Sequence, residues 1–211
     1  TRNRLMTQRA DKYAVRDYVK NKIGEEYLIP LLGVFKAPEE IEFKRLKAPF
    51  VLKVNHTSGG NCFSYQAGDI DENNVIKTLN HYLKINAYYY ACEWAYKDIK
   101  PLIVCEELLF EEKNKLPDDY KFFCFNGKPE FIQVDIDRFG DHKRDFYSKK
   151  WELLPTILIY QNSSNGIKKP IVLDEMLRIA EILSNDFDFA RVDLYVIKNK
   201  IFFGEITFYP E

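Results

Sequence analysis

The chemistry this sequence could do lies where acids and bases interrupt apolar runs. Asp193 stands inside Arg191-Val192-Asp193-Leu194-Tyr195-Val196, and Glu205 stands inside the run from Ile201 to Phe208. If the turn between them centres on residues 198–199, the two carboxylates fall near each other on neighbouring strands. Carboxylates converging in this way need a cation or a shared proton, because two like charges held close cannot both stay ionised cheaply. Magnesium with phosphate oxygens meets that need, being a hard cation commonly held by one or two carboxylates. The plain alternative is that both acids point to solvent from a half-exposed sheet.

Lys53 sits between Leu52 and Val54 in another apolar run, followed closely by Ser58-Gly59-Gly60. Glycines let backbone N–H groups approach phosphate oxygens, and a nearby lysine adds a point charge. An ordinary hairpin tip reads the same way. His56, at the end of that run, has the chemistry of a base, although a polar strand-end histidine is the commoner outcome. Glu106-Glu107 closes a third run and could offer a carboxylate or carbonyl to an adenine amino group and an N–H to its ring; a surface loop is the alternative. Arg138, His142, Lys143, Arg144 and Arg191 could form a cationic group suited to phosphate or carboxylate, or a solvated charge run. Arg191 is the most telling of these because it lies within a strand.

The elements that must position these residues follow from periodicity and turn chemistry. Asp11 to Lys22 carries Tyr13, Ala14, Val15, Tyr18 and Val19 at helical spacing, and Gly24 stops it. Leu28 to Val34 reads as a short buried strand with Pro30 at its edge. Pro49 to Val54 and Cys62 to Tyr65 read as a hairpin around the glycine loop. A helix is expected over Asn74–Ile85, with Val75, Ile76, Leu79, Tyr82 and Leu83 on one face, and a strand is centred on Leu102 to Cys105. Two hairpins have clear turns: Lys121–Phe125 passes through Asn126-Gly127 into Phe131–Asp135, and Arg191–Val196 passes through Lys198-Asn199-Lys200 into Ile201–Phe208. Leu173 to Leu183 is an amphipathic helix. Hairpins mixed with helices predict an α+β fold.

Composition bounds the reading. The 211 residues are 46% hydrophobic, enough for a sizeable core, and 15% aromatic, which favours sheet. Thirty-one Lys and Arg balance 32 Asp and Glu, so neither a basic excess nor a basic stripe points to nucleic acid. Cys62, Cys92, Cys105 and Cys124 form no CxxC pair and read as buried reduced thiols. With no secretory signal and no apolar run long enough for a bilayer, the expectation is a cytoplasmic protein without a transmembrane segment. Both ends read as cut, at Thr1 without Met and at Tyr209-Pro210-Glu211 directly after a strand. Oligomeric state is not readable.

The serial order of these features carries more than any one of them. Asp11-Lys12, Lys53 before a glycine loop, Glu106-Glu107-Leu108-Leu109, Arg191-x-Asp193 and Glu205-x-Thr207-x-x-Pro210 look like an ATP-grasp ligase read from N- to C-terminus. More closely, DKYAVRDYV, FVLKVNH, DYKFFCFNGKPEFIQVDIDRFGDHKRDFY and FARVDLY…FFGEITFYP resemble the TupA-like ATP-grasp family of cell-surface polysaccharide and teichuronopeptide gene clusters. The resemblance covers nearly the whole chain.

That resemblance implies an ATP-grasp fold in which two α+β subdomains grip ATP between them. It assigns Lys12, Lys53 and the Ser58-Gly59-Gly60 loop to the phosphates, Glu106, Glu107 and Leu108 to the adenine, and Glu112 to the ribose, with Lys121 also among the nucleotide contacts. Asp193 and Glu205 would hold Mg2+, together with Thr207, where many relatives have Asn. Arg191 would stabilise charge during phosphoryl transfer, and Arg138 and Arg144 would meet the γ-phosphate or the acyl substrate. The implied activity is ATP-dependent ligation of a carboxylate to an amine on a small molecule or glycan precursor, through an acylphosphate. A kinase and a non-catalytic nucleotide-binding domain are the rivals. Gln133, Asp135 and residues 139–147 are candidates for the substrate pocket. The expected partition is an N-terminal helical segment over 1–47, a small subdomain with the phosphate loop over 48–107, and a large subdomain with the magnesium hairpin over 108–211. Relatives continue past Glu211 with a small-residue loop and also carry a longer N-terminal portion.

Overall fold

The computed structural model describes residues 3–112 and 115–210, so the two ends read as cut, Thr1 and Glu211, lie outside the described residues. The strand and turn signals assemble into two antiparallel sheets, each in its own packing unit. Unit 1 comprises Thr1–Tyr18 and Ile29–Leu109; unit 2 comprises Val19–Leu28 and Phe110–Glu211.

In unit 1 the sheet contains β1 (Leu31–Phe35), β2 (Phe50–Val54), β3 (Cys62–Ser64) and β4 (Ile103–Glu107), in the order β1-β4-β2-β3. Strand alternation decides its faces. Phe50, Leu52 and Val54 of β2 and Ile103 and Cys105 of β4 form a core with Ile41 and with Val75 and Leu79 of the helix Glu72–Tyr82. Each such side chain, fully buried, contributes about 1.5–3 kcal/mol. Lys53 and Glu106 alternate onto the opposite face.

Unit 2 is built on six strands: β5 (Asp119–Phe125), β6 (Lys128–Ile136), β7 (Lys143–Ser148), β8 (Leu153–Leu154), β9 (Phe189–Ile197) and β10 (Lys200–Thr207), in the order β10-β9-β5-β6-β7-β8. The expected amphipathic helix, Leu173–Ser184, packs on β5, β6 and β9. Its Leu173, Met176, Ile179, Ala180 and Leu183 are buried, as are Phe122, Cys124, Ile132, Val134, Val192 and Leu194 of the sheet. The other sheet face is therefore free to be polar. Both predicted hairpin turns have two consecutive left-handed residues, Asn126 and Gly127 at φ 49° and 73°, Lys198 and Asn199 at 50° and 65°. That is the primed geometry whose twist matches the flanking strands.

Several expectations shift. The helix expected over Asp11–Lys22 starts at Val15, and an unexpected helix, Arg4–Ala10, precedes it. They break at Asp11, whose Oδ1 accepts from the N–H groups of Tyr13 (2.8 Å) and Ala14 (3.2 Å), offering the backbone an alternative to the helix ladder. The strand expected over 28–34 starts at Leu31, and it is not buried: β1 is a sheet edge, with Leu31 and Leu32 exposed. The acid pair Glu106-Glu107 belongs to β4 itself, not to a surface loop. Residues 143–148, expected within a charged stretch, form a paired strand.

Candidate functional site

The candidate side chains form two groups, one in each unit. In unit 1, β2 and β4 place Lys53 and Glu106 diagonally on the face away from the core. Glu106, 6% exposed, holds the Lys53 ammonium on one carboxylate oxygen and the Arg16 guanidinium on the other, each at 2.6 Å. Arg16 also donates to the Ile29 carbonyl at 2.8 Å, so its fork is pinned. Two cations thus share one acid.

Next to this triad, Asn55 is fully buried at the end of β2 and acts as a clamp. Its side chain donates to Asp11 Oδ1 (2.9 Å) and to the Lys100 carbonyl (3.1 Å), and accepts from the Leu102 N–H (2.8 Å). Lys12 donates its N–H to the Asn55 carbonyl and its ammonium to the Thr57 carbonyl, 3.0 Å away. Lys12 is thereby tied to the loop that carries Ser58, Gly59 and Gly60. Both glycines have positive φ, 84° and 66°, and both lie against the Tyr82 ring, so side chains here would be strained and crowded. His56 is buried, and burial holds its imidazole below the ordinary value, hence neutral near pH 7. Leu108 is buried with its N–H donated to the Pro49 carbonyl, and Glu107 is exposed with its N–H on the Pro30 carbonyl.

Unit 2 gathers its charges on the sheet face opposite the helix. Asp193 on β9 is the direct cross-strand partner of Glu205 on β10, and Arg191 is the partner of Thr207. A plain two-residue hairpin would set Gly204 opposite Asp193; a bulge between Phe203 and Glu205 restores Glu205 to that position. Arg191 grips Asp193 with a fork, Nε to Oδ1 and Nη2 to Oδ2, both at 2.7 Å. It also reaches Glu205 Oε1 at 3.4 Å, the atom that accepts from the Thr207 hydroxyl at 3.4 Å.

On the other side of β9, β5 sets Lys121 opposite Asp193 and Asp119 opposite Tyr195. The buried Lys121 ammonium bonds Asp119 and lies 3.3 Å from Asp135 and 3.6 Å from Asp193. Arg144 holds Asp135 from β7 at 2.6 Å, and Arg138 reaches Asp119 at 3.4 Å. His142 packs against Tyr160 at a tilt of 30°, with ring centroids 3.7 Å apart, and its Nε2 lies 3.3 Å from Asp135. Four carboxylates thus meet four fixed cations: Asp119, Asp135, Asp193 and Glu205 against Lys121, Arg138, Arg144 and Arg191.

The electrostatics differ within this face. Burial pushes Asp193 up to about 6, although Arg191 and Lys121 pull the other way. For Asp135, burial also works upward but is outweighed by the Arg144 hydrogen bond and by Lys121, which hold it well below the usual carboxylate range. For Lys121, burial works against the charge and Asp119, Asp193 and Asp135 overcome it, so its net shift is upward. Among the described residues no group of three or more His, Cys, Asp and Glu is arranged to hold a metal ion. Asp193 and Glu205 supply two carboxylates, the number magnesium takes when phosphate oxygens provide further ligands.

Lys12, Lys53, Glu106 and the glycine loop are therefore neighbours in unit 1, and Lys121, Arg138, Arg144, Arg191, Asp193, Glu205 and Thr207 share one face in unit 2. Glu112 is exposed, bridged to Lys115. Lys143 turns outward to Asp141 at 3.0 Å. Gln133 lies on the polar face, donating to Asp135 at 3.2 Å. Sequence reasoning missed Arg16, Asn55 and Asp119. Two of them carried a signal: Arg16 lies four residues after Lys12, and Asp119-x-Lys121 repeats at the strand period.

Comparison with known proteins matches this fold to several ligases. The D-alanine–D-alanine ligase of Bacillus anthracis, solved with ATP, superposes with a TM-score of 0.53 at 14% identity, covering 96% of this chain and 55% of that one. The L-amino acid ligase of Bacillus licheniformis gives 0.51 at 11%, covering 94% and 42%. The ATP-grasp ligase PsnB, solved with a precursor variant, Mg and ADP, gives 0.52 at 11%, covering 98% and 52%. This chain thus spans about half the length of these proteins. No curated protein sequence matches it. Among the described residues no helix is long and apolar enough to cross a membrane. The model of the TupA-like ATP-grasp family matches residues 1–211, the whole chain, and the protein belongs to that family.

Proposed function

We propose that the protein binds Mg-ATP and uses it to join a carboxylate to an amine. The observation that carries this reading is the direct pairing of Asp193 with Glu205 beside the Arg191 fork. Two acids and a guanidinium on one sheet face suit a magnesium ion together with the phosphate oxygens it accompanies. The ATP in one matching ligase structure and the Mg and ADP in another support the same choice.

In unit 1, Lys12 and Lys53 would take phosphate oxygens, with the Ser58-Gly59-Gly60 loop supplying backbone N–H groups. Glu106, Glu107 and Leu108 would lie along the adenine, and Glu112 would take the ribose hydroxyls. With the Leu108 N–H already on Pro49, carbonyl and carboxylate oxygens are the groups left for the base. In unit 2, Asp193 and Glu205 would hold magnesium, which supplies positive charge to the phosphate oxygens when bound. Thr207 would orient Glu205 through its hydroxyl. Arg138, whose side chain is 54% exposed, suits the γ-phosphate or substrate carboxylate better than the buried Arg144, which anchors Asp135.

The chemistry would run in two steps. A substrate carboxylate oxygen attacks the γ-phosphorus and ADP leaves, giving an acylphosphate. The amine nitrogen then attacks the acyl carbon, the C–O bond to phosphate breaks, and the amine loses a proton. The chain's part is positioning and charge neutralisation, the main resources in phosphoryl transfer. Family membership favours a substrate from cell-surface polysaccharide or teichuronopeptide synthesis, handled in the cytoplasm.

Equilibrium binding of ATP with and without magnesium, in the wild type, Asp193→Asn and Glu205→Gln, tests the reading. Magnesium should tighten binding in the wild type and lose that effect in both variants. Magnesium dependence surviving both changes would overturn the assignment. A screen of carboxylates and amines for ATP-dependent phosphate release then identifies the substrates. A stable phosphorylated product without an amide would mark a kinase instead.

A further inference from the structure

Lys121 has no place in the mechanism just described, yet it sits at the centre of the polar face. Its side chain is 5% exposed, and carboxylates from three strands converge on its one nitrogen: Asp119 from β5, Asp135 from β6 at 3.3 Å and Asp193 from β9 at 3.6 Å. An ammonium has three N–H donors: one is bonded to Asp119, and the other two acids lie within ion-pair distance. This is the geometry of a cation-binding point whose cation belongs to the protein. One of these acids still lacks a full set of hydrogen bonds. Asp119 Oδ1 is buried and has no hydrogen-bond partner. Such an oxygen costs free energy unless a donor or cation reaches it.

Without the ammonium, three carboxylates this close would draw in protons or a divalent ion. With it, a free divalent ion meets acids that are already neutralised and would have to displace Lys121. A magnesium ion arriving on nucleotide phosphates brings most of its ligands with it and needs only the Asp193 and Glu205 edge. We propose that Lys121 is an internal counter-ion that holds Asp193 in position and bars free divalent cations, so that the metal enters only with the nucleotide. Lys121 is then a positioning residue and not a nucleotide contact. This inference rests on the Mg-ATP reading above.

The test uses Mn2+ as the probe, with free ion followed by electron paramagnetic resonance in titrations of the whole chain. Wild-type protein should bind Mn2+ weakly without ATP and more tightly with it, once the Mn2+ held by ATP alone is subtracted. Lys121→Met should bind Mn2+ without nucleotide at least about tenfold more tightly than wild type, a difference of about 1.4 kcal/mol. Adding Asp119→Asn to that variant should abolish the gain. Lys121→Gln, which keeps a hydrogen-bond donor in the cluster, is the second neutral variant should Lys121→Met fail to fold. Wild-type binding of Mn2+ as tight without ATP as with it overturns the proposal, as does a folded neutral variant with no gain. If wild type binds no nucleotide at all, the Mg-ATP reading falls, while the nucleotide-free Mn2+ comparison still decides the role of Lys121.

Discussion

In unit 1 one carboxylate serves two cations, whereas in unit 2 four carboxylates and four cations share a sheet face. Glu106 cannot satisfy Lys53 and Arg16 without leaving a net positive charge, and Lys12 stands close by on the Thr57 carbonyl. That surplus suits an anion such as a phosphate chain. The unit 2 face is neutral as a sum but uneven in detail: at Asp135 the cations outweigh burial, whereas at Asp193 burial outweighs the cations. An uneven face favours a cation at the Asp193 end and an anion at the Asp135 end. The two regions therefore differ in what they lack, and that difference can be attacked directly.

Neutralising one acid in each unit gives the largest expected contrast. Glu106→Gln leaves two mostly buried cations facing an amide, and should lower the unfolding free energy by about 3 kcal/mol in urea titrations. Asp193→Asn should cost less, about 1 kcal/mol, because Glu205 remains beside the Arg191 fork and burial already disfavours the charge at Asp193. Equal costs would erase the distinction drawn between the units.

Arg144→Met comes next, at about 2 kcal/mol near neutral pH, since it removes charged hydrogen bonds to Asp135. The pH dependence has a defined sign. Asp135 is held below its unfolded value of about 4, so its stabilisation is present above that pH and is lost as pH falls toward the folded value. The gap between wild type and Arg144→Met should narrow from pH 5 toward pH 2 in urea midpoints. A gap that stays constant would show that Arg144 stabilises by packing alone.

Gly60→Ala should cost about 1 kcal/mol in thermal melts, as its φ of 66° is the left-handed region and the Tyr82 ring occupies the space. The smallest signal is also the most local. Burial pushes both Cys105 in unit 1 and Cys124 in unit 2 up to about 12, so neither thiol reacts while its unit is closed. Glu106→Gln should speed labelling of Cys105 and leave Cys124 unchanged, and Arg144→Met should do the reverse. Parallel acceleration at both thiols would mean that the units open together.

Much of this architecture was legible because its signals are local. Asn126-Gly127 specifies its turn by itself, and the spacing of Leu173, Met176, Ile179 and Leu183 specifies a helix face. Acids inside apolar strands pointed to Asp193 and Glu205. What escaped depended on partners distant in sequence. Leu31 and Leu32 read as core, and only sheet order reveals that β1 is an edge. Lys143 and Arg144 read equally as a cationic group or as solvated charge, and only the fold shows Arg144 on Asp135 and Asp145 fully buried, accepting from the Ser163 N–H at 2.8 Å and the Tyr147 hydroxyl at 3.1 Å. Asn55 looks like any strand-end amide until Asp11, Lys100 and Leu102 surround it.

Gly204 makes β10 change parity. Before it, the odd-numbered Ile201 and Phe203 face the helix layer; after it, the even-numbered Ile206 and Phe208 are the buried ones, and odd-numbered Glu205 and Thr207 join the charged face. Side chains at 204 are discouraged, since a Cβ there would come within 3.1 Å of the Asp193 carbonyl. Yet the residue itself is dispensable to the pairing: removing it closes the bulge and lets Phe203 run into Glu205 in regular alternation. Inserting a residue elsewhere in the strand has no such escape, for it would exchange the two faces and send Glu205 into the apolar layer. Strand length here works as a code with one permitted erasure.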